Sequence, residues 1–157
     1  MIRIVSCGFV LVAIAGADWP QFRGPTGQGI YQGPPLPTSW SAGDNVRWRV
    51  RIPGKGWSSP ALVAGRVYLT TAVPEGDDHS LRAVCLDAKT GRQVWDVEVL
   101  HQDGRTSPPI HSKNSHASPS PVVNDGKVYV HFGHQGTACL DMSGKVIWRN
   151  RQIRYAP

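Results

Sequence analysis

The chain has 157 residues, 17 Gly, 13 Pro, three Cys and a formal net charge of +6. That share of Gly and Pro argues against long helices. Its cysteines include no adjacent pair and no haem-attachment Cys-x-x-Cys-His spacing, while the positive charge leaves an anionic partner open.

In chain order, residues 1–17 read as an export signal. "MIR" supplies a positive charge, "IVSCGFVLVAIA" a short apolar run, and "AGA" the small residues before a cut after Ala17 or Ala15. The run is too short for a comfortable membrane span, and Cys7 lies near its start rather than at the end a lipoprotein would need. The expectation is an exported chain, periplasmic or extracellular, with no stable membrane span after signal cleavage and no nucleic-acid partner.

Residues 18–44 read as an extended segment. "WPQFRGP" (19–25) sets aromatic beside basic residues, so Arg23 is expected to stack on Trp19 or Phe22 in a strap against the rest of the fold. "NVRWRVRI" (45–52) then alternates Arg47, Arg49 and Arg51 with Val46, Trp48 and Val50, a strand pattern with one basic face. "QGPPLPTSWSAGD" (32–44) is too rich in Pro, Gly and Asp to supply strands beside it. The expectation is a lone outer strand whose Trp48 needs a partner face from blades beyond this chain. Its apolar face would be incompletely buried and its edge open to self-association.

From residue 58 onward the chain repeats itself. "SSPALVAGRVYLTTA" (58–72) lines up with "PSPVVNDGKVYVHFG" (119–133), and "CLDAKTGRQVW" (85–95) returns as "CLDMSGKVIW" (139–148), one residue shorter in its turn. The length difference between units falls in "PEGDDHSLRA" (74–83), read as a loop. Ala64-Gly65 and Asp125-Gly126 sit between apolar runs as hairpin turns. Each unit is expected to hold four short strands, at 58–63, 66–73, 82–87 and 92–99, then at 119–123, 127–133, 136–141 and 145–150. Such repeats predict an all-β fold, a partial β-propeller of about two four-stranded antiparallel blades over 45–157. They would be the N-terminal part of a propeller of seven or eight blades; the alternative is a two-blade protein that assembles a ring from several copies.

The repeated phrase has a structural part to play. Asp87 can accept hydrogen bonds from the amides of its own turn, Thr90 can add a hydroxyl, and Gly91 tolerates positive φ. The Trp95 ring would then lie against the neighbouring blade. Asp141, Gly144 and Trp148 repeat the pattern, with Ser143-Gly144 in place of Lys-Thr-Gly. Cys85 and Cys139 hold equivalent places in the two units, too far apart for a disulfide, and are expected to be buried free thiols.

Catalytic constellations are scarce. His101, His111, His116, His131 and His134 lack the Cys or carboxylate spacing of a metal site and read as loop histidines, so no metal is expected. The long connection "LHQDGRTSPPIHSKNSHAS" (100–118) is the most functional-looking segment. Its Lys113, Asn114 and His116 are candidates for lining the mouth of the fold.

"LDAKTGRQVW" resembles the tryptophan-docking motif of the PQQ-like (pyrroloquinoline-quinone-like) β-propellers. These include quinoprotein alcohol dehydrogenases and the BamB-type subunit of the outer-membrane assembly machinery. "DWPQFRGPTGQGI" (18–30), "LPTSWSAGDNVRWRV" (36–50) and "GKGWSSPALVAGRVYLTTAV" (54–73) are similar, more narrowly, to secreted PQQ-like proteins of planctomycete-type bacteria. The resemblance covers 18–151. It implies a BamB-like binding or scaffold module whose partner is a protein or a cell-envelope component. It leaves open a share in a PQQ-dependent quinoprotein dehydrogenase, with PQQ over the propeller's centre and a metal beside it. The vicinal cysteine pair of those dehydrogenases is missing, as is an identifiable catalytic carboxylate. No catalytic residue and no cofactor are therefore expected.

Overall fold

The computed structural model describes residues 18–152, and the expected export signal lies outside them. The described chain is all-β. Strands β1 (Ala61–Val63), β2 (Arg66–Glu75), β3 (Asp78–Asp87) and β4 (Gln93–Gln102) form one four-stranded sheet in that order. Strands β5 (Val122–Asn124), β6 (Lys127–His131), β7 (Thr137–Asp141) and β8 (Val146–Asn150) form a second with the same order. All neighbours pair antiparallel. One 3-10 turn, Gly133–Gln135, links β6 to β7, so β6 ends two residues before the sequence pattern placed its end.

Local turn chemistry sets the register of each blade. Ala64 and Gly65 lie at φ 50° and 71°, and Asp125 and Gly126 at 47° and 64°. Two consecutive positive φ values make a type I′ turn, whose twist matches the strands it joins. Ala61 therefore faces Tyr68, and Val122 faces Tyr129. Each register carries a row across the sheet: Tyr68, Cys85 and Trp95 in the first, Tyr129, Cys139 and Trp148 in the second. Both cysteines are free and buried. Burial, with a smaller push from the Asp87 charge, drives the Cys85 thiol up to about 11 against the opposing pull of Arg66, which marks it as a core group rather than a nucleophile.

The segment 74–83 is not a loop. Pro74 and Glu75 extend β2, Asp78 begins β3, and the reversal is confined to Gly76 and Asp77, with Gly76 at φ 67°. The Pro, Gly and two Asp that read as loop sit at a hairpin tip. Pro74 is tolerated because its missing N–H is one ladder position near the strand end. Blade one thus has 10-residue strands β2, β3 and β4 where blade two has strands of 5.

A bulge interrupts β4. Leu81 faces Leu100 while Arg82 faces Glu98, leaving Val99 as the extra residue. Strict alternation would put Glu98 and Leu100 on one face. Here Val99 and Leu100 are both buried, and Glu98 and His101 both turn outward.

The core fills the space between the blades. Tyr68, Leu81, Ala83, Cys85 and Val99 of the first sheet meet Val123, Val128, Val130, Phe132 and Leu140 of the second. Burying each large side chain is worth about 1.5–3 kcal/mol, so neither half-sandwich is expected to stand alone. The first strands β1 and β5 approach each other. The strap crosses both: Trp19 exchanges N–H···O bonds with Leu62 at 2.6 and 2.8 Å, and Val123 N donates to Pro20 O at 2.8 Å. Arg23 stacks over Phe22, at 5.2 Å, rather than over Trp19, whose ring lies against Gly24.

Residues 45–52 form no strand. Val46 and Val50 are exposed, as expected, but Trp48 finds its partner within the chain. Its indole N–H donates to Ala88 O at 2.9 Å and its ring lies over Gly91. The expectation that it needs a face from further blades is overturned: the turn of blade one supplies it.

Candidate functional site

The blades present two ends of different chemistry. At one end lie the turns 64–65, 88–91, 125–126 and 142–144. Asp87 Oδ1 accepts from Lys89 N at 3.0 Å, Thr90 N at 3.0 Å and Thr90 Oγ1 at 2.9 Å, and Oδ2 accepts from Arg66 at 3.0 Å. Asp141 Oδ1 accepts from Ser143 N at 2.8 Å, Ser143 Oγ at 2.6 Å and Lys145 N at 3.0 Å. The shorter turn keeps the arrangement by exchanging one hydroxyl for another. Bonds from Thr90 and Ser143, respectively, hold both carboxyls below their ordinary range.

Onto these turns the tryptophans settle in sequence. Trp95 Nε1 donates to Met142 O at 3.1 Å, and its ring lies over Gly144 as Trp48 lies over Gly91. A Cβ built on Gly144 would stand 2.8 Å from the Trp95 ring, and one on Gly91 2.6 Å from that of Trp48. Both glycines also carry positive φ. Trp148, the third in the series, is 43% exposed and has no turn beneath it among the described residues.

The opposite end gathers the β2–β3 tip, the connection 103–121 and the segment 132–136. Its cleft of about 230 Å³ is lined by Gln102, Ile110, Asn114, Ser115, His116, Ser118, Pro119, Phe132, Gly133 and His134. Asn114 and His116 therefore line a real concavity, whereas Lys113 is exposed and does not line it. His79 adds a third imidazole from β3, its ring centroid 4.1 Å from that of His116, and its Nδ1 is buried without a hydrogen-bond partner. Partial burial lowers the pKa of His116, with His79 and His134 adding to the effect. His79 carries no signal in the sequence because its stretch has the composition of a loop; its pairing opposite Gln102 in the β3–β4 ladder puts it there.

The cleft is held by amide and hydroxyl bonds. Gln135, buried, donates to Ser107 Oγ at 2.7 Å, lies 2.9 Å from His134 Nε2 and accepts from Arg151 at 3.2 Å. Ser118 Oγ serves Ser115 N and O, so these hydroxyls are spent on the loop itself. Neither is paired with a histidine as a nucleophile would be.

The other histidines lie apart. His131 on β6 meets Thr137 Oγ1 at 2.9 Å, and His111 is exposed, accepting from Lys113 N. His101 stands on the outer face with Glu75 and Glu98, their ligand atoms within 4.8 Å of one another. That trio is exposed, and His101 is already engaged by Asp78 at 3.1 Å. Among the described residues it is the only set of three close enough to share a metal ion, so the cleft imidazoles do not form one.

A second groove runs beside the first strands, lined by Gln21, Phe22, Trp57, Ser59, Ser118, Pro119, Ser120 and Val122. Trp57 and Phe22 are both exposed there. Among the described residues no helix is long and apolar enough to cross a membrane. The family described as outer membrane protein assembly factor BamB, of the PQQ-repeat type, matches residues 31–156. No curated protein matches the chain.

Proposed function

The chain belongs to the BamB family of PQQ-type repeat proteins, and from that membership we propose that it is an exported binding module. Its loop-bearing end would engage a protein partner of the cell envelope. The observation that carries this reading is the cleft at that end. It is built from three separate segments, is lined by hydrogen-bonding side chains beside Ile110, Pro119 and Phe132, and has its serines committed to loop structure. Such a surface recognises rather than reacts.

The dehydrogenase reading fits less well. PQQ carries three carboxylates and a quinone that a metal activates, and the groove beside β1 and β5 has neither a basic nor an acidic side chain in its lining. Cys85 and Cys139 sit in separate sheets, not side by side.

Site-specific photo-crosslinking in the native envelope tests the proposal. A crosslinker at Ile110, on the cleft, should give a discrete protein adduct, and one at Lys89, on the opposite end, should not. Adducts from Lys89 alone, or stoichiometric quinone absorbance after reconstitution with PQQ and calcium, would overturn it.

A further inference from the structure

The cleft has a chemical bias that goes beyond a general binding role. Its lining offers Gln102, Asn114, His116 and His134 and includes no Asp or Glu. Behind it, His79 leaves Nδ1 buried and unpartnered against the His116 ring. Arg151 brings a guanidinium to Gln135, which lies 2.9 Å from the His134 ring nitrogen. A concave surface with amide N–H donors, two imidazoles backed by a third, and no acidic side chain is matched by an anion of modest size. A planar carboxylate suits donors arranged around a cleft of about 230 Å³, because its two oxygens accept several bonds at once.

We propose that this cleft is a carboxylate-binding site, taking an acidic side chain or a chain terminus of the partner, and that filling it draws a proton onto the histidine cluster. The inference rests on the binding-module reading and names the chemistry that would be recognised. The groups acting on His116 are His79 from β3 and His134 from the 3-10 turn; His111 and Lys113 of its own loop are exposed. Empty, the cluster disfavours the imidazolium form of His116 through burial and like charge. A bound carboxylate reverses the second effect and offsets the first, so its binding takes up a proton. Affinity should therefore rise as pH falls toward the His range, until the carboxylate itself protonates.

Four probes on the full chain test this by histidine ring NMR at pH 6 and pH 8. They are acetylated and amidated tetraglutamate, acetylated tetraglutamine with a free C-terminus, the same peptide amidated, and inorganic phosphate. Tetraglutamate or the free C-terminus should shift the His116 and His134 rings, with affinity about tenfold weaker at the higher pH. Which of the two does so identifies the carboxylate's source. His116→Gln and His134→Gln should weaken binding and flatten its pH dependence, and His111→Gln should change neither. Near-UV circular dichroism keeps misfolded variants out of the comparison. Unmoved rings with both carboxylate peptides, an equal response to amidated tetraglutamine, or a stronger one to phosphate would overturn the proposal. If the rings stay unmoved while Ile110 still crosslinks a protein, the binding module stands and the carboxylate site does not.

Discussion

Blade one and blade two share a register and differ in what lies against their last strand. Tyr68 and Trp95 flank Cys85 at a ring separation of 5.9 Å, and Tyr129 and Trp148 flank Cys139 at 6.3 Å, with similar tilts. Yet Tyr68 is 1% exposed and Trp95 half-buried over Gly144, while Trp148 is 43% exposed. The hairpins position the rings, and the neighbouring turn determines their burial. Sequence repetition thus specifies geometry blade by blade, while energy comes from the contact between blades.

The comparison can be broken most forcefully at the glycines. Gly144→Val puts a branched side chain at φ +91° into the Trp95 ring and should cost about 4 kcal/mol in urea unfolding. Gly126→Val, at φ +64° with nothing within 4 Å, should lose only the backbone share, about 1–2 kcal/mol. Equal losses would mean that the Trp95 seat contributes nothing. Next, Trp95→Ala should cost about 3 kcal/mol and Trp148→Ala under about 1 kcal/mol, despite identical places in their sheets. Comparable losses would show that burial by a neighbouring turn is not what separates them.

Smaller changes sharpen the same contrast. Blade one turns through Ala64 at φ 50°, where blade two has Asp125 at 47°. Ala64→Asn should stabilise the chain by about 0.5–1 kcal/mol, read as a higher urea midpoint, because Asn tolerates that region and Ala does not. No gain would place the strain elsewhere. Asp87 and Asp141 have depressed folded pKa values, so their contribution is complete above the unfolded carboxylate value, about 4. It is lost as pH falls through the folded values. Asp87→Asn and Asp141→Asn should each flatten the acid limb of a stability–pH curve, with little change in its shape near neutrality. An unchanged acid limb in both variants would remove the turn carboxylates from the account.

Much of this was legible in the sequence because hairpins are local. The Cys-Leu-Asp to Trp phrase, the Asp-Gly turn and the matched apolar runs each carry their own geometry, and Asp87, Thr90, Gly91, Asp141 and Gly144 stand where the pattern put them. The unread parts depended on distant contacts. Pro74, Gly76 and two Asp describe a loop by composition, and only pairing across ten-residue strands makes them a hairpin tip. His79 was hidden with them. Trp48 belongs to a segment without strand partners, and its seat lies 40 residues away at Ala88. Asn114 and His116 were found from the length of their connection, but the cleft around them is made by segments from both blades.

Hydrogen exchange of the tryptophan indole N–H groups, resolved by ¹⁵N labelling, addresses the central claim directly. The Trp95 indole, bonded to Met142 O over Gly144, should exchange many-fold more slowly than that of Trp148, and Gly144→Val should remove the difference. A Trp148 indole as protected as that of Trp95, or a Trp95 indole exchanging at the rate of a free side chain, would contradict the claim that each blade's tryptophan is held by the turn of the next.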